Sequence, residues 1–436
     1  MFAIGVGKAI FSLTRFLKKG GGSAAPGLYA LKVDPSLVRK LARKIPKNIV
    51  ITGTNGKTTT SRMLAHFAQT ATLKVIRNHT GSNLERGIAS TLIQNSKLHL
   101  RGVRTNFDLG IWELDEAVFN LVAPKINPDI VVFLNVFRDQ LDRYGEVDTV
   151  VKKWAETLKK LDKKTIVLVN GDDANTVKLK DSFKGKVYAF GVKDFKIVGE
   201  SILHKKEKQK LDFQAQNVKL KGLSGSSFQL SINNKLSTIN LPLPGLYHIY
   251  DAVAAIACAS FLSDTPIRRY TDSLKSFSPA FGRVEKFTLQ PSRLPHKVDG
   301  VIFLIKNPAG ATQVFQTLAP ELKKNDRLFL ALNDNLADGT DVSWIWDADF
   351  EQLSIVHCPL SIVCSGTRAY DLANRLKYAG FDPKDIIIEP NLEQAFKQAR
   401  KALKGRLFIL PTYTAMLKLQ SIFAQSGIKK PYWETK

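Results

Sequence analysis

The stretch Ile49-Val-Ile-Thr-Gly-Thr-Asn-Gly-Lys-Thr-Thr59 decides the fold of this chain. It predicts a strand, a glycine turn and the start of a helix. Glycines let backbone N–H groups face phosphate oxygens, and a helix N-terminus adds positive potential. The stretch therefore predicts a phosphate loop, in which Lys57 reaches the outer phosphates as a catalytic residue and the Thr58 hydroxyl binds Mg²⁺. The expected phosphate-binding residues are Gly53, Thr54, Asn55, Gly56, Lys57, Thr58 and Thr59.

Around this loop, strand-like and helical runs alternate along the chain, among them a helix from Lys57 to about Thr70, a strand over Ile166–Asn170 and a helix over Ala369–Tyr378. Alternation of this kind is typical of a parallel sheet covered by helices, an α/β fold. A short, polar, Lys-rich region over about 193–240 predicts an antiparallel hairpin insertion, and a second alternating series begins near residue 298. We expect a basic N-terminal helix and linker over 1–47, with the linker at GGGSAAPG (20–27), a central ATP-binding domain over 48–285, and a Rossmann-like C-terminal domain over 286–436.

Composition narrows the class of protein further. With 436 residues the chain is too long for one ordinary core, and 44% hydrophobic with 24% charged residues indicates a globular protein. The three cysteines, Cys258, Cys358 and Cys364, form no CxxC pair and none lies near a histidine at ligand spacing, so neither a disulfide framework nor a zinc site is supported. This cysteine usage favours a reducing, cytoplasmic setting.

The net charge of +25 predicts attraction to a polyanion or to an anionic surface. Residues 1–47 hold ten Lys and Arg residues against one acid, Asp34. In residues 2–19, apolar residues are interleaved with cations, so this segment is either an interfacial helix at the inner face of a membrane or a solvated helix packed on its own domain. Lys8 and Arg15 interrupt any signal-peptide core, and no apolar run is long enough to span a bilayer.

The central region resembles the Mur ligase family, on GTNGKT at residues 53–58 and on four further segments in order. They are Glu113 in IWELDEA, the run LNVFRDQLDRYG at 134–145 with matches at Asn135, Asp139, Leu141 and Asp142, NGDD at 170–173, and GRVE at 282–285. The resemblance implies ATP and Mg²⁺ as cofactors, Glu113 as a metal ligand with Thr58, and Asn135 and Arg283 in the nucleotide site.

The sequence also departs from that family. Gln140 stands where a metal-binding histidine is usual, and Trp154 stands near the position of the carbamylated lysine. His248 and Asp251 occupy the positions of two asparagines of the pattern Gly-x-x-Asn-x-x-Asn. A second Mg²⁺ and adenine contacts at these positions are therefore not assigned.

Within the family, the chain is most similar to the MurT group. Only 47 residues precede the first predicted strand, too few for the usual domain that grips a UDP-sugar. The C-terminal region also resembles that group, in KNPAG at 306–310, in LNDNLADGTDVSW at 332–344 and in SGTR at 365–368. By resemblance, Asn307 and Asp334 belong to the nucleotide site and Asp341 is the catalytic carboxylate of the amidation step.

The resemblance further implies a two-step reaction on lipid II. ATP converts the D-glutamate carboxylate of the stem peptide to an acyl-phosphate, and ammonia then yields D-isoglutamine. None of the cysteines has the glycine-flanked context of a glutaminase nucleophile, so a separate GatD-type glutaminase partner is implied, as a heterodimer. Many MurT proteins carry a four-cysteine zinc ribbon, but a Lys-rich segment near 200–222 takes its place here, so no zinc is expected.

Two other functions remain open from the sequence. The first is a folylpolyglutamate-synthase-like or other Mur-type ligase that joins an amino acid to a carboxylate. The second is a nucleotide-binding scaffold with a basic surface, although no motif of a nucleic-acid-binding protein is present and no nucleic acid is expected as a partner.

Overall fold

A computed structural model describes residues 2–16, 24–78, 82–99, 102–137, 147–193, 210–278, 282–289, 297–355 and 360–429. Two sheets organise this part of the chain, and both are covered by helices. The predicted α/β class, with a Mur ligase-type central domain followed by a Rossmann-like domain, is confirmed. The predicted positions Asp139, Gln140, Leu141, Asp142 and Cys358 lie outside the described residues.

The central sheet has the strand order β11-β10-β9-β8-β7-β6-β1-β5-β2. Its strands are β1 (Lys47–Thr52), β2 (Val75–Arg77), β5 (Leu109–Leu114), β6 (Ile130–Phe133), β7 (Ile166–Asn170), β8 (Lys186–Val192), β9 (Phe213–Leu220), β10 (Ser226–Ile232) and β11 (Lys235–Leu241), with a separate antiparallel pair β3 (Lys97–His99) and β4 (Gly102–Arg104). Neighbouring strands from β2 to β9 are parallel, and β10 runs antiparallel to both of its neighbours, β9 and β11. Because β1 lies between β6 and β5, the phosphate loop that follows it sits among the carboxyl ends of these neighbours.

Helices cover both faces of the central sheet. They are α1 (Phe2–Phe16), α2 (Ala25–Val33), α3 (Leu37–Ala42), α4 (Lys57–Thr70), α5 (Glu85–Gln94), α6 (Phe119–Ile126), α7 (Val147–Leu158), α8 (Ala174–Val177), α9 (Leu246–Ala259) and α10 (Ile267–Ser273). Helix α9 is buried along its whole length, from His248 to Ala259, and packs on α4 and β8. The small side chains of α9 allow this close approach, and the helix holds the start of α4 against the sheet.

The predicted hairpin insertion appears as an extension of this sheet. β10 and β11 form an antiparallel hairpin through Asn233 and Asn234, both with positive φ, which suits a two-residue turn. β9 pairs in parallel with β8, so the region continues the main sheet and buries Phe213, Phe228 and Ile239 in the same core. Residues 194–209 of the predicted insertion lie outside the described part of the chain.

The N-terminal helices pack on the central domain. Ala3 and Ile4 of α1 are buried, and a Cβ on Gly7 would lie 2.8 Å from Ile93 of α5. Gly27 of α2 approaches the α5 backbone so closely that its N–H donates to Ser90 Oγ at 2.8 Å. Residues 24–27, which the sequence assigned to a linker, therefore begin a docked helix. Across the described residues, no helix is both long and apolar enough to cross a membrane.

The second sheet has the order β12-β13-β17-β14-β15-β16 and is parallel apart from its edge strand β12. Its strands are β12 (Arg283–Leu289), β13 (Val298–Phe303), β14 (Arg327–Ala331), β15 (Ser361–Ser365), β16 (Ile386–Ile388) and β17 (Leu407–Pro411). Its helices are α11 (Pro308–Leu318), α12 (Glu351–Ser354), α13 (Ala369–Tyr378), α14 (Leu392–Arg400) and α15 (Tyr413–Gln425). The second sheet thus begins at Arg283, three residues before the boundary drawn from the sequence.

Candidate functional site

The phosphate loop has the backbone conformation that its glycines allow. Gly53 and Gly56 have φ values of +140° and +90°, a region that favours glycine. A Cβ on Gly56 would lie 2.2 Å from Asp251 Oδ1, so the loop is also packed too tightly there for any side chain. Asn135 holds the loop from β6, because its Oδ1 accepts from Asn55 N at 2.8 Å and its Nδ2 donates to Asn55 O at 3.1 Å. Asn135 thus shapes the loop.

Lys57 is buried at the start of α4, where two acids face it. Its Nζ donates to the Gly53 carbonyl and lies 3.2 Å from Glu116 Oε2 and 3.9 Å from Asp115 Oδ1. The Glu116 side chain is only 5% exposed, so this charge pair is largely shielded from solvent. No motif in the sequence singled out Glu116, although its spacing from Glu113 in the ELDE run was visible.

Thr58 and Glu113 are brought together as the predicted metal pair. Thr58 Oγ1 donates to Glu113 Oε2 at 2.8 Å, and Ser61 Oγ donates to the other carboxylate oxygen at 2.5 Å. Asn78 fixes the strand backbone there, accepting from Glu113 N and donating to Glu113 O, both at 2.9 Å. A hydroxyl and a carboxylate therefore meet at the carboxyl end of β5, beside the N-terminus of α4.

A cavity opens beside the loop, between the two sheets. It encloses roughly 860 Å³, part of it open to solvent, and both domains line it. The central domain contributes residues at or near the carboxyl ends of β6, β7 and β8, among them Asn135, Asn170 and Phe190, and the C-terminal domain contributes Lys306 and Val314. A partly apolar cleft next to a phosphate loop is the expected place for the base and ribose of a nucleotide.

The C-terminal domain reaches the phosphate loop through the start of α11. Asn307 caps that helix by accepting from Gly310 N at 2.8 Å, and it exchanges two side-chain hydrogen bonds with Asn55, at 3.1 and 3.2 Å. Lys306 Nζ donates to Thr54 O at 3.2 Å, and Arg283 Nη1 donates to Thr59 Oγ1 at 3.3 Å. The predicted residues Asn307 and Arg283 thus contact the loop directly.

Helix α9 presents two buried titratable groups to this region. Burial raises the pKa of Asp251 to about 7, against the opposing effects of Arg283 and of the Thr60 hydroxyl, which lies 3.3 Å from Asp251 Oδ1. Burial lowers the pKa of His248 to about 3, although the Pro244 carbonyl opposes this change. Among the described residues, Asp251 Oδ2 and His248 Nε2 have no hydrogen-bond partner.

The acid-rich loop after β14 holds the remaining predicted residues. Asp334 pairs with Arg368 at 3.1 Å and accepts from Thr367 Oγ1 at 2.8 Å. Asp338 is buried and accepts from Thr414 N at 2.8 Å, which caps α15. Asp341 is exposed and accepts from Ser343 N at 2.8 Å. The hydrogen bonds described for Asp334 and Asp341 lie within the C-terminal domain, and their roles stay predictions.

Two family models match the chain. The model of the Mur ligase middle domain matches residues 51–259, and the model of the MurT ligase C-terminal domain matches residues 304–416. A lipid II isoglutaminyl synthase (glutamine-hydrolyzing) subunit MurT of Streptococcus pneumoniae is 31% identical over 94% of each chain. The protein of that name from Staphylococcus aureus is 30% identical over 91% of each chain.

Solved structures share the fold at lower identity. MurF from Acinetobacter baumannii has a TM-score of 0.67 at 18% identity, over 91% of this chain and 79% of that one. Folylpolyglutamate synthase from Mycobacterium tuberculosis has a TM-score of 0.64 at 16% identity, over 94% of this chain and all of that one. The similarity to both structures concerns the fold alone.

Proposed function

Because the chain belongs to the MurT group of the Mur ligase family and is an ATP-dependent, amide-forming ligase, we propose that it amidates the D-glutamate carboxylate of the lipid II stem peptide. The observation that carries the proposal is the nucleotide site itself, in which a phosphate loop and an oxygen pair from Thr58 and Glu113 adjoin a cleft that both domains line. Likeness to the two MurT proteins over nearly the whole chain supports lipid II as the acceptor.

The residues at the loop fit ATP with Mg²⁺. Oxygen atoms are the ligands that Mg²⁺ prefers, and one or two protein ligands with substrate phosphates and water are usual. When bound, Mg²⁺ neutralises charge on the outer phosphates during transfer. Lys57 adds a second positive charge there, and the loop N–H groups orient the phosphates.

In the first step of the proposed reaction, a carboxylate oxygen attacks the γ-phosphorus, the bond to the β-phosphate oxygen breaks, and ADP leaves. The product is an acyl-phosphate. In the second step, ammonia attacks the acyl carbon, phosphate leaves, and the nitrogen loses a proton. We assign acceptance of that proton to Asp341, whose exposed carboxylate lies on a loop at the carboxyl edge of the second sheet. Asp334 is proposed as a nucleotide contact from the same loop.

Ammonia requires a source, and we propose a GatD-type glutaminase subunit as the partner. The names of the two MurT relatives describe a glutamine-hydrolyzing enzyme with subunits, which supports a division of labour between two chains. No zinc is needed for the proposed steps.

A lipid-linked acceptor also calls for contact with the membrane, and we propose peripheral binding at its cytoplasmic face. The first 33 residues expose Phe2, Leu13, Leu28, Tyr29 and Val33, among cations with few acids. Apolar side chains surrounded by cations suit an anionic bilayer surface. The buried face of α1 meanwhile packs on its own domain, so the two readings of this helix are compatible.

The test uses the purified chain with ATP, Mg²⁺, ammonium and lipid II in detergent micelles. Mass spectrometry should show a product about 1 Da lighter, since OH is replaced by NH₂. Lys57→Ala should abolish both amide and phosphate release, whereas Lys397→Ala, a surface change on α14, should not. Amide formation by Lys57→Ala at the parental rate would refute the assignment of this site.

A further inference from the structure

We propose that Arg62 and Arg77 form the anion site that holds the acceptor carboxylate beside the phosphate loop. This inference rests on the proposed function and assigns the substrate end of that same site. It concerns two arginines that neither the sequence motifs nor the nucleotide contacts account for.

The strand order sets the direction from which an acceptor approaches. The cavity next to the loop is lined by residues at or near the carboxyl ends of β6, β7 and β8, and these strands lie on one side of β1. β5 and the edge strand β2 lie on the other side of β1. A nucleotide with its base in the cavity therefore points its outer phosphates toward β5 and β2, and the acceptor must reach them from that side.

Arg77 and Glu113 project from the same face of the sheet. Arg77 is the last residue of β2 and pairs in register with Ile111 of β5, two residues before Glu113. Aligned residues of parallel strands point to the same face, and so do residues two apart. Ile111 packs in one core cluster with Met63 and Leu64 of α4, so this is the face that α4 covers.

Arg62 completes the arrangement from α4. It follows Ser61, whose hydroxyl donates to Glu113, and its own Nη2 donates to Ser278 Oγ at 3.2 Å. Burial lowers the pKa of both guanidinium groups; Glu113 opposes this at Arg77, whereas the Arg62 cation adds to it. The half-buried Arg77 cation thus lies within electrostatic reach of both the Glu113 carboxylate and the Arg62 cation.

Two guanidinium groups close to each other give this place a positive potential that suits an anionic substrate. Glu113, which interacts with Arg77, is already engaged by the hydroxyls of Thr58 and Ser61. A second carboxylate placed between the arginines would offset their repulsion. Arginine also offers the planar pair of N–H donors that binds a carboxylate through both oxygens. Such a carboxylate would lie next to Thr58, where the transferred phosphoryl group is expected.

The experiment measures Arg62→Gln and Arg77→Gln with ammonium as the nitrogen source and lipid II in micelles as the acceptor. We expect KM for lipid II to rise by about 10-fold or more in each variant, since a charge-assisted bidentate contact is lost. The dissociation constant of fluorescent ADP and the Mg²⁺ half-saturation should stay within about 2-fold of the parental values. Arg77→Lys should recover part of the affinity, because it keeps the charge and loses the fork. Arg268→Gln, at a side chain that is 90% exposed on α10, is the matched control.

Three outcomes separate the hypotheses. An unchanged KM for lipid II in both variants, with an active parental protein, would overturn the anion site and leave the proposed function in place. A raised Mg²⁺ half-saturation with unchanged KM for lipid II would also overturn it, because Arg77 would then only position Glu113. A parental protein that forms no amide from lipid II would refute the proposed function, and the anion site with it.

Discussion

Replacing Asp251 by asparagine should stabilise the central domain relative to the parental protein. This stabilisation should be larger at pH 8 than at pH 4.5. The side chain is 5% exposed, and among the described residues its Oδ2 has no hydrogen-bond partner. Burial raises its pKa from 3.8 to about 7, although Arg283 and Thr60 favour the charged form. Asparagine keeps an oxygen for the Thr60 hydroxyl and cannot ionise.

The sign follows from proton binding in the two states. Between pH 3.8 and about 7 the folded protein keeps a proton that the unfolded chain has lost, so this carboxyl lowers the free energy of unfolding as pH rises. Each pKa unit corresponds to about 1.4 kcal/mol, which gives a full effect of about 4 kcal/mol above pH 7 and about 1 kcal/mol at pH 4.5. The stabilisation by Asp251→Asn should therefore grow by about 3 kcal/mol between pH 4.5 and pH 8.

Urea unfolding at several pH values, followed by tryptophan fluorescence, measures this difference. Trp112 and Trp154 are fully buried in the central domain and report its unfolding. His248→Gln on the same helix provides a control of opposite sign. Burial lowers the pKa of His248 to about 3, so its contribution to stability rises with pH between about 3 and 6.5 and is lost on acidification. A difference between Asp251→Asn and parental protein that is constant from pH 4.5 to pH 8 would refute the reasoning.

Three further predictions concern the site and the surface. Asp341→Asn should retain nucleotide affinity and lose amide product, because it keeps the acceptor for Ser343 N and removes the base. Asp382→Asn, which changes a similar turn, is the control, and amidation by Asp341→Asn at the parental rate would disprove the assignment. Glu113→Gln should raise the Mg²⁺ concentration for half-maximal ATP turnover about 10-fold or more, since a charged ligand is lost; an unchanged Mg²⁺ titration would argue against a metal ligand here. The double change Phe2→Ser and Leu13→Ser should reduce sedimentation with anionic vesicles, whereas Leu236→Ser, at an exposure similar to that of Leu13, should not. Equal binding by both variants would exclude α1 as the membrane contact.

Local sequence was sufficient for much of the fold. Helix α4 at Lys57–Thr70, strand β7 at Ile166–Asn170 and helix α13 at Ala369–Tyr378 have the bounds that periodicity predicted. Each is a long or strongly patterned segment between clear turns, where local preference and tertiary packing agree. The phosphate loop was equally predictable, because its glycines and lysine specify one backbone conformation by themselves.

Other elements depended on contacts that are distant along the chain. The burial of Glu116 and Asp251 could not be predicted from local sequence, because Lys57 sets the environment of Glu116, and Gly56 and Thr60 set that of Asp251. The predicted boundary between residues 285 and 286 falls inside strand β12 (Arg283–Leu289), because an edge strand is defined by its pairing partner, β13. The start of helix α2 was assigned to a linker, because the contact that requires its small residues is made with α5, which is distant along the chain.

The sequence by itself determined the α/β class and the phosphate loop, because hydrophobic periodicity and short-range backbone chemistry specify them; the residues proposed to meet ATP were chosen from the same motifs. Only the tertiary structure decided which residues face one another across the loop. The order of β6, β1, β5 and β2 places the nucleotide cleft on one side of Lys57 and the Arg62–Arg77 pair on the other. Strand order is fixed by packing and crossover connections over the whole domain, so no local pattern carries it.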